Sequence, residues 1–188
     1  MSADVVPQMP RGLGRLCLDF VATVADRRGQ ATERLCSPAE LAGWLVGVGP
    51  LHEAPELGEK DLRQARALRE AIYRLVTGAG EPDPGDVRLL NRFARHPTPV
   101  PSLSVDRGVR NPDSRQTLPA ALSVIARDAI DLLGSPARDR IRTCAAEECG
   151  APFLDTSRPG RRRWCYMGRC GNRAKKATYR QRHARTER

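Results

Sequence analysis

Four cysteines constrain this chain more than any other feature: Cys144 and Cys149, then Cys165 and Cys170, two pairs with four residues inside each pair. Zinc takes four thiolates at about 2.3 Å in a tetrahedron, and two short loops that each present a pair supply that geometry at little entropic cost. A segment of this length cannot bury enough apolar surface to fold unaided, so a bound ion becomes its core. No apolar run is long enough to span a bilayer, and the N-terminus lacks a charged region followed by an apolar block. The expected setting is therefore a reducing cytoplasm without membrane attachment, where clustered cysteines hold metal. One structural Zn2+ is expected, its sphere closed by four thiolates with no open position for catalysis. Cys17 and Cys36 stand apart and read as small buried hydrophobes.

The charge distribution points the same way. Residues 1–137 contain 17 basic and 17 acidic side chains, whereas residues 138–188 contain 15 basic and 5 acidic ones, so the net +10 lies wholly with the cysteine segment. An excess of that size on a small metal-held module is suited to a polyanion.

Upstream, 40% apolar content allows an independent core, and the periodicity predicts a mainly α N-terminal domain over residues 1–137. Leu13 to Val24 carries apolar residues at helical spacing. Ser37-Pro38-Ala39-Glu40 has the form of a capping box with proline at the first helical position, followed by a stripe of Leu41, Trp44, Leu45 and Val48. A longer helix is expected over 59–77, another after Asp83-Pro84 with Val87, Leu90 and Ala94 inward, and a last one over 117–133. Five prolines between 97 and 119 exclude a helix there, and Ser102 to Val105 alternates, which predicts a small β-hairpin or an extended loop. The joint at 134–139 is short, so the two parts are expected to dock.

Within residues 138–188, Ala151–Asp155 and Arg161–Trp164 flank a Pro159-Gly160 turn and read as a β-hairpin. The run after Cys170 lacks proline and glycine and favours a helix, giving the treble-clef-like order of knuckle, hairpin and helix. That helix, with the hairpin, presents Arg158, Arg161, Arg162, Arg163, Arg173, Lys175, Lys176, Arg180, Arg182 and Arg185. Arginine pairs with phosphate or with a guanine edge, and most such contacts go to phosphate; Arg173 and Arg180 are the candidates for base contact. Gly171 is expected to allow close approach beside the metal and Asn172 to brace the helix start. Trp164 and Phe153 are expected to form the apolar centre of the module.

The motif Cys144, Cys149-Gly150, Phe153 to Arg158, Arg162-Arg163-Trp164-Cys165 and Cys170-Gly171-Asn172-Arg173 closely resembles the CGNR zinc finger. The upstream Leu18 to Thr23, Glu33-Arg34-Leu35 and Ala126 to Leu133 resemble the ABATE domain of bacterial proteins described as stress-induced transcription regulators. That family usually carries asparagine where this chain has Ala22. The resemblance implies a DNA-binding finger behind a sensor domain.

The leading expectation is a zinc-dependent regulator that binds duplex DNA in the nucleoid, with the helical part serving a small effector, a homodimer contact, or both. An RNA-associated factor using the same finger is the alternative from another class. A third is a ligand-binding or enzymatic N-terminal domain with the finger as targeting device. Asp19, Arg34, Asn91 and Arg127, polar residues beside apolar stripes, are the candidates for lining its pocket. No nucleophile–base spacing, phosphate loop or carboxylate pair supports catalysis, so a non-enzyme is expected.

Overall fold

A computed structural model describes residues 11–48, 50–78, 80–99, 102–103, 110–111 and 116–176. Its N-terminal part is helical: α1 (Leu16–Val21), α2 (Pro38–Gly47), α3 (Glu59–Thr77), α4 (Pro84–Ala94) and α5 (Leu118–Gly134). Helices α3, α4 and α5 pack on one another, α1 lies across α3 and α5, and α2 packs against α3. Two short antiparallel pairs belong to this part, β1 (Val24–Ala25) with β2 (Thr32–Glu33) and β3 (Ser102–Leu103) with β4 (Arg110–Asn111). The second is the hairpin expected within the proline-rich stretch; residues 104–109 lie outside the described residues.

The helix starts follow local chemistry. Ser37 Oγ accepts from the Glu40 N–H and the Glu40 carboxylate accepts from the Ser37 N–H, a complete capping box that satisfies donors the helix itself leaves free. Asp83 caps α4 by accepting from Gly85 and Asp86, and Thr117 caps α5 by accepting from Ala120. The first helix is shorter than its apolar spacing suggests. Asp19 turns back to accept from the N–H groups of Gly12 and Leu13, which holds residues 11–15 as a non-helical lead-in. In α4 the buried side chains are Asp86, Leu90 and Phe93, whereas Val87 is exposed. The helix is rotated because Asp86 pairs with Arg74 of α3 at 2.6 and 2.7 Å. Cys17 is buried as expected, but Cys36 is exposed, its thiol directed to the Glu33 carbonyl.

One buried charge organises this half. Arg69, 2% exposed, sits on the inward stripe of α3 among Leu62, Ala65, Leu68 and Ile72. Its guanidinium donates to both Glu33 oxygens at 2.7 and 2.6 Å, to Thr23 at 3.1 Å and to Glu70 at 2.8 Å. Glu70 in turn takes a two-pronged pair from Arg27, whose guanidinium lies 4.1 Å over the Tyr73 ring. Burial pushes the Glu33 and Glu70 carboxyls up, but the facing guanidiniums outweigh it and hold both below the usual range. This network fixes the segment between β1 and β2, which reaches the metal centre.

After α5 a 3₁₀ turn (Pro136–Arg140) leads into β5 (Ile141–Thr143), which pairs antiparallel with β6 (Pro152–Leu154). Residues 161–164 form no strand, so the hairpin encloses the first cysteine pair instead of lying between the pairs. The expected second arm is tied in by single contacts, because the Asp155 carboxylate gathers the Ser157 hydroxyl and N–H and the Arg162 N–H into a compact loop. A π-turn (Met167–Gly171) then opens into a sixth helix, α6, described over residues 172–176.

Candidate metal centre and its basic surround

The β5–β6 hairpin delivers Cys144 at the end of β5, where its N–H donates to the Ala151 carbonyl at 2.9 Å. The chain then turns, the Cys149 N–H donating to Ala146, and Gly150 takes φ +61°, a left-handed conformation that costs residues with a Cβ. A Cβ there would also lie 2.8 Å from Arg28 Cγ, so the knuckle closes against the upstream domain at that point. In the second pair Cys165 precedes the π-turn and Cys170 lies within it, with the Cys170 N–H on the Tyr166 carbonyl at 2.9 Å. A side chain at Gly171 would collide with the Met167 thioether, and Asn172 donates its amide to the Gly168 carbonyl at 3.0 Å, the bracing role expected of it.

All four cysteines are buried, and their sulfur atoms lie within 4.8 Å of one another. Cys149 and Cys165 are 3.6 Å apart, as are Cys165 and Cys170. Tetrahedral ligation at the usual Zn–S length of about 2.3 Å requires sulfurs about 3.8 Å apart, so the donor set fits one zinc ion. Hydrogen bonds from Cys149 and Cys165 draw the Cys144 thiol well below its ordinary value, while Cys165 is pushed up by its contacts with Cys144 and Cys149. Cys170 is raised first by burial and then by the charges of its neighbours. Four thiolates this close repel one another, and a divalent cation is what lets all four ionise. The Cys165 N–H, 3.5 Å from Cys144 Sγ, is a further donor to the set.

Phe153, fully buried, anchors the finger in the same continuous core as Leu13, Cys17 and the α1 residues, while Trp164 is only partly buried. Backbone contacts complete the docking. The Arg27 N–H donates to Cys149 at 3.0 Å, the Arg28 and Gly29 N–H groups donate to Glu148 at 2.9 and 3.2 Å, and the Leu154 N–H donates to Leu13 at 2.8 Å. Both carbonyls gripped by the β1–β2 segment belong to the metal knuckle.

The nominated cations divide into three groups. Arg158, Arg161, Arg163, Lys175 and Lys176 are exposed. Arg162 and Arg173 are engaged within the protein. Arg162 donates to the Trp164 carbonyl at 2.8 Å and to the Cys165 carbonyl and lies 4.9 Å over the Phe153 ring, which makes it a brace of the finger. Arg173 pairs with Glu148 at 3.1 Å and Asp26 at 3.5 Å, beside Arg169, which takes Asp26 at 2.8 Å. Arg180, Arg182 and Arg185 lie outside the described residues.

The four residues nominated for an upstream pocket are not brought together. Asp19 braces the turn before α1, Asn91 is exposed on α4, and Arg127 donates to the Ala94 and His96 carbonyls at 2.9 and 3.2 Å, satisfying the C-terminus of α4. Arg34 lines a cavity that lies between the helical part and the finger and also takes in Ala22. Sequence reasoning missed Asp26, Arg69 and Asp155. The position of Arg69 on an apolar helical stripe was the one readable signal.

A profile of the ABATE family, described as "Putative stress-induced transcription regulator", matches residues 14–136, well over half the chain. The chain belongs to the ABATE family. The CGNR zinc finger matches residues 140–183, so the cysteine set that fits one zinc is the ligand set of a recognised finger following the ABATE part. No curated protein matches the chain. Among the described residues, no helix is long and apolar enough to cross a membrane.

Proposed function

We propose that this protein is a non-enzymatic, zinc-dependent transcription regulator whose finger binds duplex DNA. The observation that carries this reading is the exposure of Arg158, Arg161, Arg163, Lys175 and Lys176 around a buried four-cysteine centre, in the segment that holds the whole net charge. Zinc bound by Cys144, Cys149, Cys165 and Cys170 supplies the fold of the finger. The five exposed cations neutralise phosphates, while Arg162 keeps the loop that presents Arg161 and Arg163 in shape. Membership in a family described as transcription regulators, followed by a zinc finger, supports the same assignment.

The test is fluorescence anisotropy of the zinc-loaded protein on random-sequence duplex DNA across a salt series. Neutralising about five phosphates gives a slope of about −4.5 in log affinity against log salt. Binding that ignores salt, or that survives complete removal of zinc, refutes the proposal. Structured RNA that competes more strongly than duplex DNA would transfer the same chemistry to RNA.

A further inference from the structure

A cavity of about 1140 Å³ opens between the two parts of the chain. Its wall is mostly apolar, with Leu13, Val24, Trp44 and Val48 from the ABATE part facing Tyr166 and the metal knuckles of the finger. Three guanidiniums, those of Arg11, Arg34 and Arg169, also line it, against two carboxylates, Asp26 and Glu40. Both carboxylates are engaged: Asp26 holds Arg169 at 2.8 Å, and Glu40 holds the Ser37 N–H at 2.8 Å.

Arg34 is the unmatched group. Among the described residues, none forms an ion pair or a side-chain hydrogen bond with its guanidinium. It is half-buried, and its pKa is lowered first by that burial and then by the charge of Arg169, with Asp26 and the Cys149 thiolate opposing. A partly desolvated cation facing another cation is stabilised by any anion that reaches it. Trp44 adds a second unmet group: it is 2% exposed, and its indole N–H has no acceptor among the described residues.

We propose that this cavity binds an organic carboxylate with an apolar body, its carboxylate on Arg34 and its body against Trp44, Leu13, Val24 and Val48. The zinc-bound thiolates of Cys149, Cys165 and Cys170 along the same wall add negative charge to that of Asp26 and Glu40, so the three guanidiniums suit a monoanion better than a dianion. A phosphate dianion would bring a second negative charge up to Asp26 and Glu40. A carboxylate also matches the two-pronged donor face of a guanidinium. The ligand would touch the ABATE part through Arg34 and the finger through Tyr166 and Arg169. This assignment does not depend on the finger binding DNA.

The experiment uses zinc-loaded full-length chain carrying Trp164→Phe, which leaves Trp44 as the single tryptophan. Hexanoate, phenylacetate and cyclohexanecarboxylate are titrated by calorimetry and by Trp44 emission, beside their neutral amides and inorganic phosphate. The expected result is saturable binding of at least one carboxylate at one per chain, with its amide and inorganic phosphate each at least tenfold weaker. Arg34→Gln should weaken it at least tenfold. Gly43 lines the cavity, and a Cβ there meets nothing within 4 Å, so Gly43→Leu directs a side chain into open space beside Trp44 and should abolish binding with zinc content and helicity intact. Failure of all three carboxylates to bind, equal binding of the amide, tighter binding of inorganic phosphate, or unchanged binding by the folded Gly43→Leu chain overturns the proposal.

Discussion

Removing the zinc should weaken the helical part as well as the finger. From the cysteine spacing alone, chelation would unfold residues 144–188 and leave the rest untouched. The structure changes that expectation, because the knuckle that holds Cys149 accepts three backbone hydrogen bonds from Arg27, Arg28 and Gly29, and Leu154 donates a fourth to Leu13. At about 1 kcal/mol each, these bonds contribute about 4 kcal/mol to the docked state. For a chain of this size that is a fall of about 10 °C in the midpoint of the helical part. Loss of the buried Phe153 contact can only add to it. The assay is calorimetric melting of zinc-loaded protein, chelated protein and the Cys165→Ser variant, with metal content read by a colorimetric chelator. A helical transition that stays at the same temperature after metal removal would refute the coupling and return the two parts to thermodynamic independence.

Three substitutions test other links. Arg69→Met leaves Glu33 with the longer ion pair from Arg66 and the backbone N–H groups of Arg34 and Leu35, and should cost about 2 kcal/mol in urea unfolding, less than for a fully buried pair because Glu33 keeps some solvent. A change below about 0.5 kcal/mol, the range of ordinary surface substitutions, would show that the network adds nothing to stability. Gly150→Ala forces a side chain into the left-handed region against Arg28 and should destabilise the finger by about 1–2 kcal/mol, measured as weaker zinc retention against a competing chelator. Asp26→Asn keeps a residue that tolerates the positive φ found there but removes the charge that holds Arg169 and Arg173. Zinc content should be unchanged, and duplex DNA affinity should rise about threefold as these arginines become free for phosphate, with a steeper salt slope. A loss of affinity would show that Asp26 presents the arginines instead of sequestering them.

Features that depend on a few adjacent residues were readable without coordinates. The Ser37–Glu40 capping box, the bounds of α3 and the convergence of the four cysteines all follow from local chemistry or from the stoichiometry of one ion. What escaped depends on partners distant in the chain. The partner of Pro152–Leu154 is Ile141–Thr143 and not residues 161–164, because the Asp155 loop removes the latter from strand geometry. Asp26 looked like part of an ordinary polar loop, yet it meets Arg169 across 143 positions of sequence. Arg162 and Arg173 were grouped with the free cations because sequence shows charge and not pairing. Of the residues nominated for the pocket, Asp19 and Arg127 are polar because a turn and a helix end need them.

The three N–H groups of Arg27, Arg28 and Gly29 on the metal knuckle bear on how this protein can be dissected. A fragment cut at residue 138 would carry every cysteine of the metal set and the whole net charge of +10, yet leave its own clamp behind. The smallest transplantable finger is discontinuous in sequence and includes residues 11–14 and 26–29. Grafted onto another scaffold without them, it would bind metal while presenting the face of Leu154 and the Glu148 and Cys149 carbonyls to water.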